Sequence, residues 1–226
     1  MGLSEDVTMT QNLTRRTFLA GVSAASLLAT SDLHAQQPEP TTPDAALQRL
    51  MDGNKRFAAD QLTSFAEDLR ILKANTVDKQ EPFAAVLSCA DSRVPVELVF
   101  DQTIGHIFVT RVAGNIINAE IVGSLEYGAA VLGVKVLVVM GHASCGAVTA
   151  AMSKKAVPGQ IASLYPHLEQ AIEGGGSVTD VIKRNAMIQA NLLAKTSTVL
   201  GPMVKEGKLK IRAAYFELAT GAVTLL

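Results

Sequence analysis

Four short apolar runs, separated by segments with helical periodicity, place the strongest constraint on the fold. The run Val134–Met140 reads VKVLVVM, and such near-continuous aliphatic sequence is typical of a strand buried on both faces of a parallel sheet. Between the second and third runs, Ile117, Ile121 and Leu125 recur at the spacing of one helix face. This alternation predicts an α/β fold with a mostly parallel sheet. The other three runs are Phe83–Ser88, His106–Thr110 and Lys210–Phe216.

The segment before the first run is predicted to be helical. A helix is expected over Asp44–Asp60, with Thr42 as its N-cap and Pro43 in its first position. Gly53 predicts a break or bend in the middle of this helix. Further expected elements are a helix within Leu62–Asn75, a helix within 178–200, and a turn at Ala219–Gly221 that leads into a last strand at 222–226.

The composition is that of one globular domain. Of the 226 residues, 48% are hydrophobic and 18% are charged, which is enough apolar sequence for one full core. Trp is absent and aromatic residues make up 4%, so aliphatic side chains must do most of the packing. The formal net charge is −1 and no run of Lys or Arg stands out, which argues against nucleic acid as a partner.

Residues 1–35 have the features of an export signal. Arg15–Leu19 reads RRTFL, which resembles the R-R-x-F-L motif of bacterial twin-arginine signals. The apolar stretch that follows is shorter than the roughly 18–20 residues of a membrane span, so no stable span is expected after cleavage behind Ala35. We therefore expect a periplasmic protein with a Pro-rich linker at 36–43 and one domain at 44–226. The alternative is an ordinary amphipathic first helix.

Two motifs follow two of the predicted strands. Cys89 comes directly after the first run, in CADSR, and His142 and Cys145 come directly after the third, in GHASCG. Sites in open α/β sheets form at the carboxyl ends of the strands, so these side chains converge if the two strands are neighbours. Two thiolates and one imidazole favour zinc. Three protein ligands leave a fourth position for water or for Asp91, and an open position is typical of a catalytic site.

Three other interpretations of these residues stay open. In an exported protein, Cys89 and Cys145 can form a disulfide. His142 can be a core histidine with its hydrogen bonds satisfied, beside two cysteines that act as small apolar groups. The zinc can also be structural, with Asp91 as a permanent fourth ligand.

Taken together, CADSR, VAGN and GHASCG resemble the β-class carbonic anhydrases, in particular their plant-like branch. The resemblance runs from Ala46 to the last residues of the chain. It implies a parallel four-stranded sheet in the order 2-1-3-4 with an antiparallel fifth strand, flanked by helices. It also implies a Zn²⁺ enzyme that reversibly hydrates carbon dioxide to bicarbonate and a proton, assembled as a homodimer or a higher even oligomer.

The same resemblance gives roles to individual residues. It makes Cys89, His142 and Cys145 the zinc ligands. It makes Asp91 and Arg93 a catalytic dyad that orients zinc-bound hydroxide, the nucleophile. An arginine two residues after a carboxylate can pair with it through two hydrogen bonds, which keeps the carboxylate ionised and away from the metal. The residues expected to bind substrate are Gln80, Phe108, Tyr127 and Gly146.

Two features qualify the resemblance. The segment VTRVAGN, which includes Ala113, stands where plant-like members read closer to VRNVAN. The absence of Trp argues against an inhibitory second bicarbonate site that uses a tryptophan in one branch of the family. Two other functions remain as alternatives, namely a zinc hydrolase of carbonyl sulfide or carbon disulfide on the same scaffold, and a zinc-binding protein without catalytic activity.

Overall fold

The computed structural model describes residues 39–64, 73–74 and 76–226. The expected export signal, the start of the linker, and most of the helix expected within Leu62–Asn75 lie outside the described residues. Among the helices that are described, none combines the length and the apolar character that a membrane crossing requires.

The centre of the domain is a five-stranded sheet in the order β2-β1-β3-β4-β5. The first four strands pair in parallel, and β5 pairs antiparallel with β4. This confirms the predicted fold class and strand order. The strands are β1 (Ala84–Ser88), β2 (Ile107–Arg111), β3 (Val136–His142), β4 (Lys210–Phe216) and β5 (Val223–Leu225).

Helices cover both faces of the sheet. One face packs against α1 and α2 through residues such as Leu50 and Phe100, and the other packs against α3, α6 and α7 through residues such as Leu125 and Leu193. The helices are α1 (Pro43–Ala58), α2 (Val96–Val99), α3 (Ala119–Ala130), α4 (Gly146–Met152), α5 (Glu169–Glu173), α6 (Val178–Thr196) and α7 (Leu200–Lys205), with 3₁₀ segments at Ala113–Asn115 and Gly159–His167.

Strands β1 and β3 are buried along their whole length. This agrees with the aliphatic run that predicted β3, since a central parallel strand is covered on both faces. The structure extends β3 two residues beyond the predicted end at Met140. Gly141 and His142 pair with Tyr215 and Phe216 of β4. His142 is therefore held by the sheet itself rather than by a following loop.

Helix α1 is continuous through Gly53, so the predicted break is wrong. A Cβ on Gly53 would lie 1.8 Å from the carbonyl oxygen of Phe100. The glycine therefore allows the helix to approach the end of α2 closely, and this approach outweighs the low helix propensity of glycine. The predicted start is confirmed, because the Thr42 hydroxyl accepts a hydrogen bond from the N–H of Ala45 over 3.2 Å.

Helix α6 is the longest described helix, and its N-terminus is closed by a capping box. Ser177 accepts from the N–H of Asp180, whose carboxylate accepts from the N–H of Ser177. The helix ends at Thr196, before the predicted limit of 200. Ser197 is extended there, and its hydroxyl accepts from the N–H of Leu200 at the start of α7.

Candidate metal centre

The motifs CADSR and GHASCG lie together at the carboxyl edge of the sheet, as expected if the strands that precede them are neighbours. Strands β1 and β3 are direct neighbours. Cys89 directly follows β1, His142 ends β3, and Cys145 is the residue before α4. One ligand atom of each residue lies within 4.8 Å of the other two, and all three side chains are buried. The predicted convergence is therefore present in the folded chain.

The separation of the two sulfurs is that of two ligands to one ion. Cys89 Sγ lies 4.0 Å from Cys145 Sγ, and both thiols are free. A disulfide would place them about 2.05 Å apart. Two sulfurs at tetrahedral positions about 2.3 Å from a zinc ion would be about 3.8 Å apart. The arrangement favours metal binding over the disulfide interpretation.

The imidazole of His142 is prepared for a metal. Its Nδ1 lies 2.9 Å from the carbonyl oxygen of Ala143. A carbonyl can only accept, so Nδ1 carries the proton and Nε2 presents a lone pair. Nε2 is buried without a hydrogen-bond partner, which would cost free energy in a simple core histidine. The donor set and this lone pair fit Zn²⁺.

The pKa values of the two thiols are shifted in opposite directions. A hydrogen bond from Cys145, assisted by the N–H of Gly114, lowers the pKa of Cys89 well below its usual range although burial opposes ionisation. The hydrogen bond to Cys89 and burial raise the pKa of Cys145 well above its usual range. A second thiolate beside the first therefore requires a compensating cation, which a divalent metal supplies.

Asp91 and Arg93 form the predicted pair. Nε and Nη2 of Arg93 donate to the two oxygens of Asp91 over 2.9 and 2.8 Å, and the backbone N–H of Arg93 adds a third bond. These hydrogen bonds hold the pKa of Asp91 well below its usual range. Asp91 Oδ2 also lies 3.9 Å from His142 Nε2. An ionised carboxylate therefore stands beside the ligand cluster, held by the arginine.

Sequence reasoning missed Arg111, which holds the loop that carries the motif. Arg111 ends β2 and lies opposite Ser88 in the sheet register. Its Nε donates to the carbonyl of Cys89 over 3.0 Å, and its Nη2 donates to the carbonyl of Asp91. The one available signal was its position at the carboxyl end of a predicted strand.

Gly114 also contributes a contact that its motif, VAGN, did not reveal. Its backbone N–H donates to Cys89 Sγ over 3.3 Å. Gly114 has φ = 76°, a backbone conformation that favours glycine. A hydrogen bond from a peptide group stabilises the thiolate form of the cysteine.

Of the predicted substrate residues, Gly146 lies at the cluster. It follows Cys145 as the first residue of α4, and the space where its Cβ would stand is open. Phe108 lies opposite Ala85 in β2. This is four residues before the level of Cys89, or about 13 Å along a strand.

The other two predicted substrate residues also lie away from the cluster within one chain. Tyr127 packs on Phe108 with ring centroids 6.3 Å apart and is about half exposed on α3. Gln80 is exposed ahead of the amino end of β1. The structure brings together the three ligands, the dyad and Gly146, whereas the roles of Gln80, Phe108 and Tyr127 stay predictions.

Comparison with known proteins gives the same family throughout. A family model described as carbonic anhydrase matches residues 84–223. A protein named carbonic anhydrase 2 from Mycobacterium tuberculosis is 40% identical over 148 residues, which cover 65% of this chain and 64% of the relative. The chain thus spans slightly less than two thirds of that relative. A carbonic anhydrase from Pseudomonas aeruginosa is 27% identical over 196 residues, covering 80% of this chain and 87% of the relative.

Solved structures share the fold. A β-carbonic anhydrase from Aspergillus fumigatus is 25% identical, with a TM-score of 0.65 and coverage of 81% of this chain and 89% of its own. The Coccomyxa β-carbonic anhydrase, solved with acetazolamide, is 23% identical with a TM-score of 0.64 and covers 80% and 86%. The family match begins at the start of β1 and ends in β5, so it contains the whole ligand cluster and the dyad. On these grounds the chain belongs to the carbonic anhydrase family, within its β class.

Proposed function

We propose that this protein is a Zn²⁺-dependent carbonic anhydrase that interconverts carbon dioxide and water with bicarbonate and a proton. The observation that carries the proposal is the buried cluster of Cys89, His142 and Cys145, whose ligand atoms lie within 4.8 Å of one another. The ionised Asp91 beside it adds the group that a hydration reaction needs. The names of the curated relatives support the same activity.

The cluster would hold the ion through two sulfurs and His142 Nε2. When bound, zinc would act as a Lewis acid and make water acidic enough to supply hydroxide near neutral pH. The residues supply the rest of the site. Gly114 and Ala143 fix Cys89 and His142 through backbone hydrogen bonds, so the ligands are oriented before the metal arrives.

Asp91 would orient the attacking water. Its carboxylate is ionised and can accept a hydrogen bond, which aims the oxygen lone pair of the water at carbon dioxide. The bond to Arg93 engages both carboxylate oxygens, and this supports an open fourth metal position over a permanent ligand role for Asp91. The open space at Gly146, which directly follows Cys145, supports access of a small substrate to the cluster.

Assembly as a homodimer or higher even oligomer is part of the proposal. Strand β2 has β1 on one side and is otherwise the edge of the described sheet. Tyr127 on α3 and Val131, the residue directly after the end of α3, are exposed and largely apolar side chains. An unpaired edge and an apolar helix face are features that a partner subunit would cover. Tetrameric β-carbonic anhydrases from Sordaria macrospora share the fold, with a TM-score of 0.62 and 21% identity.

Placement in the plant-like branch rests on the residues of the motifs and pocket, including Gln80 and Tyr127. Export to the periplasm rests on the twin-arginine pattern at Arg15–Leu19. A fusion of residues 1–44 to a reporter that is active after folded export tests the second point. Replacing Arg15 and Arg16 by lysine should abolish export, and export that persists would contradict the twin-arginine route.

Stopped-flow hydration of carbon dioxide by the purified chain, with zinc content measured on the same sample, tests the activity. We expect about one zinc per chain and hydration that is lost on chelation and restored by zinc. Parallel assays with carbonyl sulfide and carbon disulfide test the alternative hydrolase. A zinc-loaded protein that hydrolyses those gases but does not hydrate carbon dioxide would refute the proposed function. A zinc-loaded protein without any of these activities would support the non-catalytic alternative.

A further inference from the structure

A buried chain of amide groups runs from α6 to the sulfur of Cys89. Gln189 and Asn185 lie one turn apart on α6 and are almost completely buried. Gln189 Nε2 donates to Asn185 Oδ1 over 3.0 Å, and Asn185 Nδ2 donates to the carbonyl oxygen of Gly114 over 2.9 Å. Gly114 in turn donates its N–H to Cys89 Sγ over 3.3 Å. The ligand sulfur is thereby linked to a helix that carries no ligand.

Backbone groups that contact Gln189 determine which amide groups donate and which accept along this series of hydrogen bonds. Gln189 Oε1 accepts from the N–H of Ile117 over 3.1 Å, and Gln189 Nε2 also donates to the carbonyl of His167 over 3.1 Å. A backbone N–H can only donate and a carbonyl can only accept, so the orientation of the Gln189 amide is determined. Asn185 Oδ1 must then accept, which leaves Asn185 Nδ2 to donate to Gly114.

Gly114 needs such an anchor. With φ = 76° and no Cβ, it has wide freedom about both backbone dihedrals. Its N–H and its carbonyl belong to successive peptide planes, so a bond to the carbonyl restrains the rotation that would turn the N–H away from the sulfur. Asn185 provides that restraint from a position where water does not compete for the hydrogen bond.

We propose that Asn185, supported by Gln189, is a positioning residue of the metal centre. It holds Gly114 so that the Gly114 N–H donates to the Cys89 thiolate and limits the charge that this sulfur gives to the metal. The inference rests on the proposed function, because it presupposes Zn²⁺ at the three-residue cluster. Groups that hydrogen-bond to metal ligands, as Gly114 does to Cys89, orient the ligands and tune the metal.

The replacement Asn185→Leu tests the inference against Asn54→Leu as matched control. Asn54 is also buried, and it makes three hydrogen bonds, to Val99, Gly221 and Val223, away from the cluster. Both variants should lose stability. We expect only Asn185→Leu to weaken zinc binding by about 10- to 100-fold in chelator competition. In the cobalt-substituted Asn185→Leu protein, the thiolate-to-metal charge-transfer band should move to longer wavelength, because the thiolate of Cys89 has lost the hydrogen bond from the Gly114 N–H.

The wild-type protein offers a second measurement that does not depend on whether a variant folds. With a spin-active cadmium isotope in the site, an amide proton that donates to a metal-bound thiolate shows scalar coupling to the metal. We expect this coupling at the amide of Gly114 in the wild-type protein. We expect it to be weaker in the conservative variant Asn185→Ser, whose shorter side chain no longer reaches the carbonyl. Its absence in the wild-type protein would overturn the inference.

The outcomes separate this inference from the proposed function. If wild-type protein takes up no zinc, both fail. If it binds zinc and hydrates carbon dioxide, but Asn185→Leu matches Asn54→Leu in zinc affinity and in the cobalt band, only the role of Asn185 is refuted. A change in affinity and band position that is confined to Asn185→Leu supports it, since a merely structural role would leave the band unmoved.

Discussion

Arg93 holds both carboxylate oxygens of Asp91, at 2.9 and 2.8 Å, while Asp91 stands 3.9 Å from the lone-pair nitrogen of His142. The carboxylate is thus close to the ligand cluster but engaged elsewhere. About half of the Arg93 side chain is exposed, so an ordinary surface ion pair would contribute little stability. The pair matters for the position and charge of Asp91 and not for the stability of the fold.

Asp91→Asn should therefore abolish most of the activity without unfolding the protein. An amide at this position no longer carries the negative charge that orients the attacking water, and a positioned carboxylate of this kind is worth about 100-fold or more in rate. Stopped-flow hydration of carbon dioxide should show this fall in kcat, with zinc content and the unfolding midpoint close to wild type. A variant with full zinc content and unchanged kcat would remove Asp91 from the mechanism.

Arg111→Met should weaken zinc binding by loosening the loop that carries Cys89 and Asp91. The change removes the donors to the carbonyls of Cys89 and Asp91, so the loop loses its restraint and zinc affinity should fall by about 10-fold or more. Arg49→Met is the control, because Arg49 lies at the other end of β1, over the ring of Phe83. The side chain of Arg49 is more buried than that of Arg111, which is exposed. Equal zinc affinity of the two variants in chelator competition would contradict a role for Arg111.

The strands and the metal ligands could be predicted because local sequence patterns indicate both of them. A buried parallel strand has an aliphatic sequence whatever surrounds it, and C-x-D-x-R and H-x-x-C keep Cys89 and His142 beside their strands. The strand order, which brings these two motifs together, followed from the family resemblance and not from periodicity. Nothing within either motif states that β1 and β3 are neighbours.

The supporting residues could not be predicted because their partners are distant in sequence. Arg111 is 22 residues from Cys89, and Asn185 is 71 residues from Gly114. Both contacts exist only when the fold is complete. Gly53 shows the same limit. Local helix propensity predicted a bend there, but helix α1 is continuous because Gly53 allows a close approach to Phe100, a contact that exists only in the folded chain.

Two glycine replacements should have opposite effects on stability. Gly53→Ala places a Cβ 1.8 Å from a backbone oxygen, which forces α1 away from its contact and should cost about 3 kcal/mol. Gly123→Ala lies in α3 with no atom within 4 Å of the new Cβ, so it should stabilise by about 1 kcal/mol through helix propensity. Thermal and urea unfolding of both variants measure the difference, and a Gly53→Ala protein as stable as wild type would refute the steric argument.

Asp101 is a buried carboxylate that ties the segment after α1 to the end of α2. It accepts from Arg56 Nε, from the N–H and hydroxyl of Thr63, and from the N–H of Ser64. Burial opposes its ionisation, but these hydrogen bonds outweigh burial and lower the pKa of Asp101 to about 2, from an ordinary value of 3.8. The folded protein therefore stabilises the ionised form of Asp101 relative to the unfolded chain.

Asp101→Asn should remove a contribution to stability that depends on pH. A depressed pKa stabilises the fold fully above about pH 4, and this contribution is lost as the pH falls towards 2, since both states then bind the proton. The size of the shift corresponds to about 2 kcal/mol. Urea unfolding of wild type and Asp101→Asn between pH 7 and pH 3 should show a difference of that order at pH 7 that narrows on acidification. Protonation of the metal ligands affects both proteins alike and cancels in the comparison, so a difference that stayed constant down to pH 3 would show that Asp101 acts by packing and not by its charge.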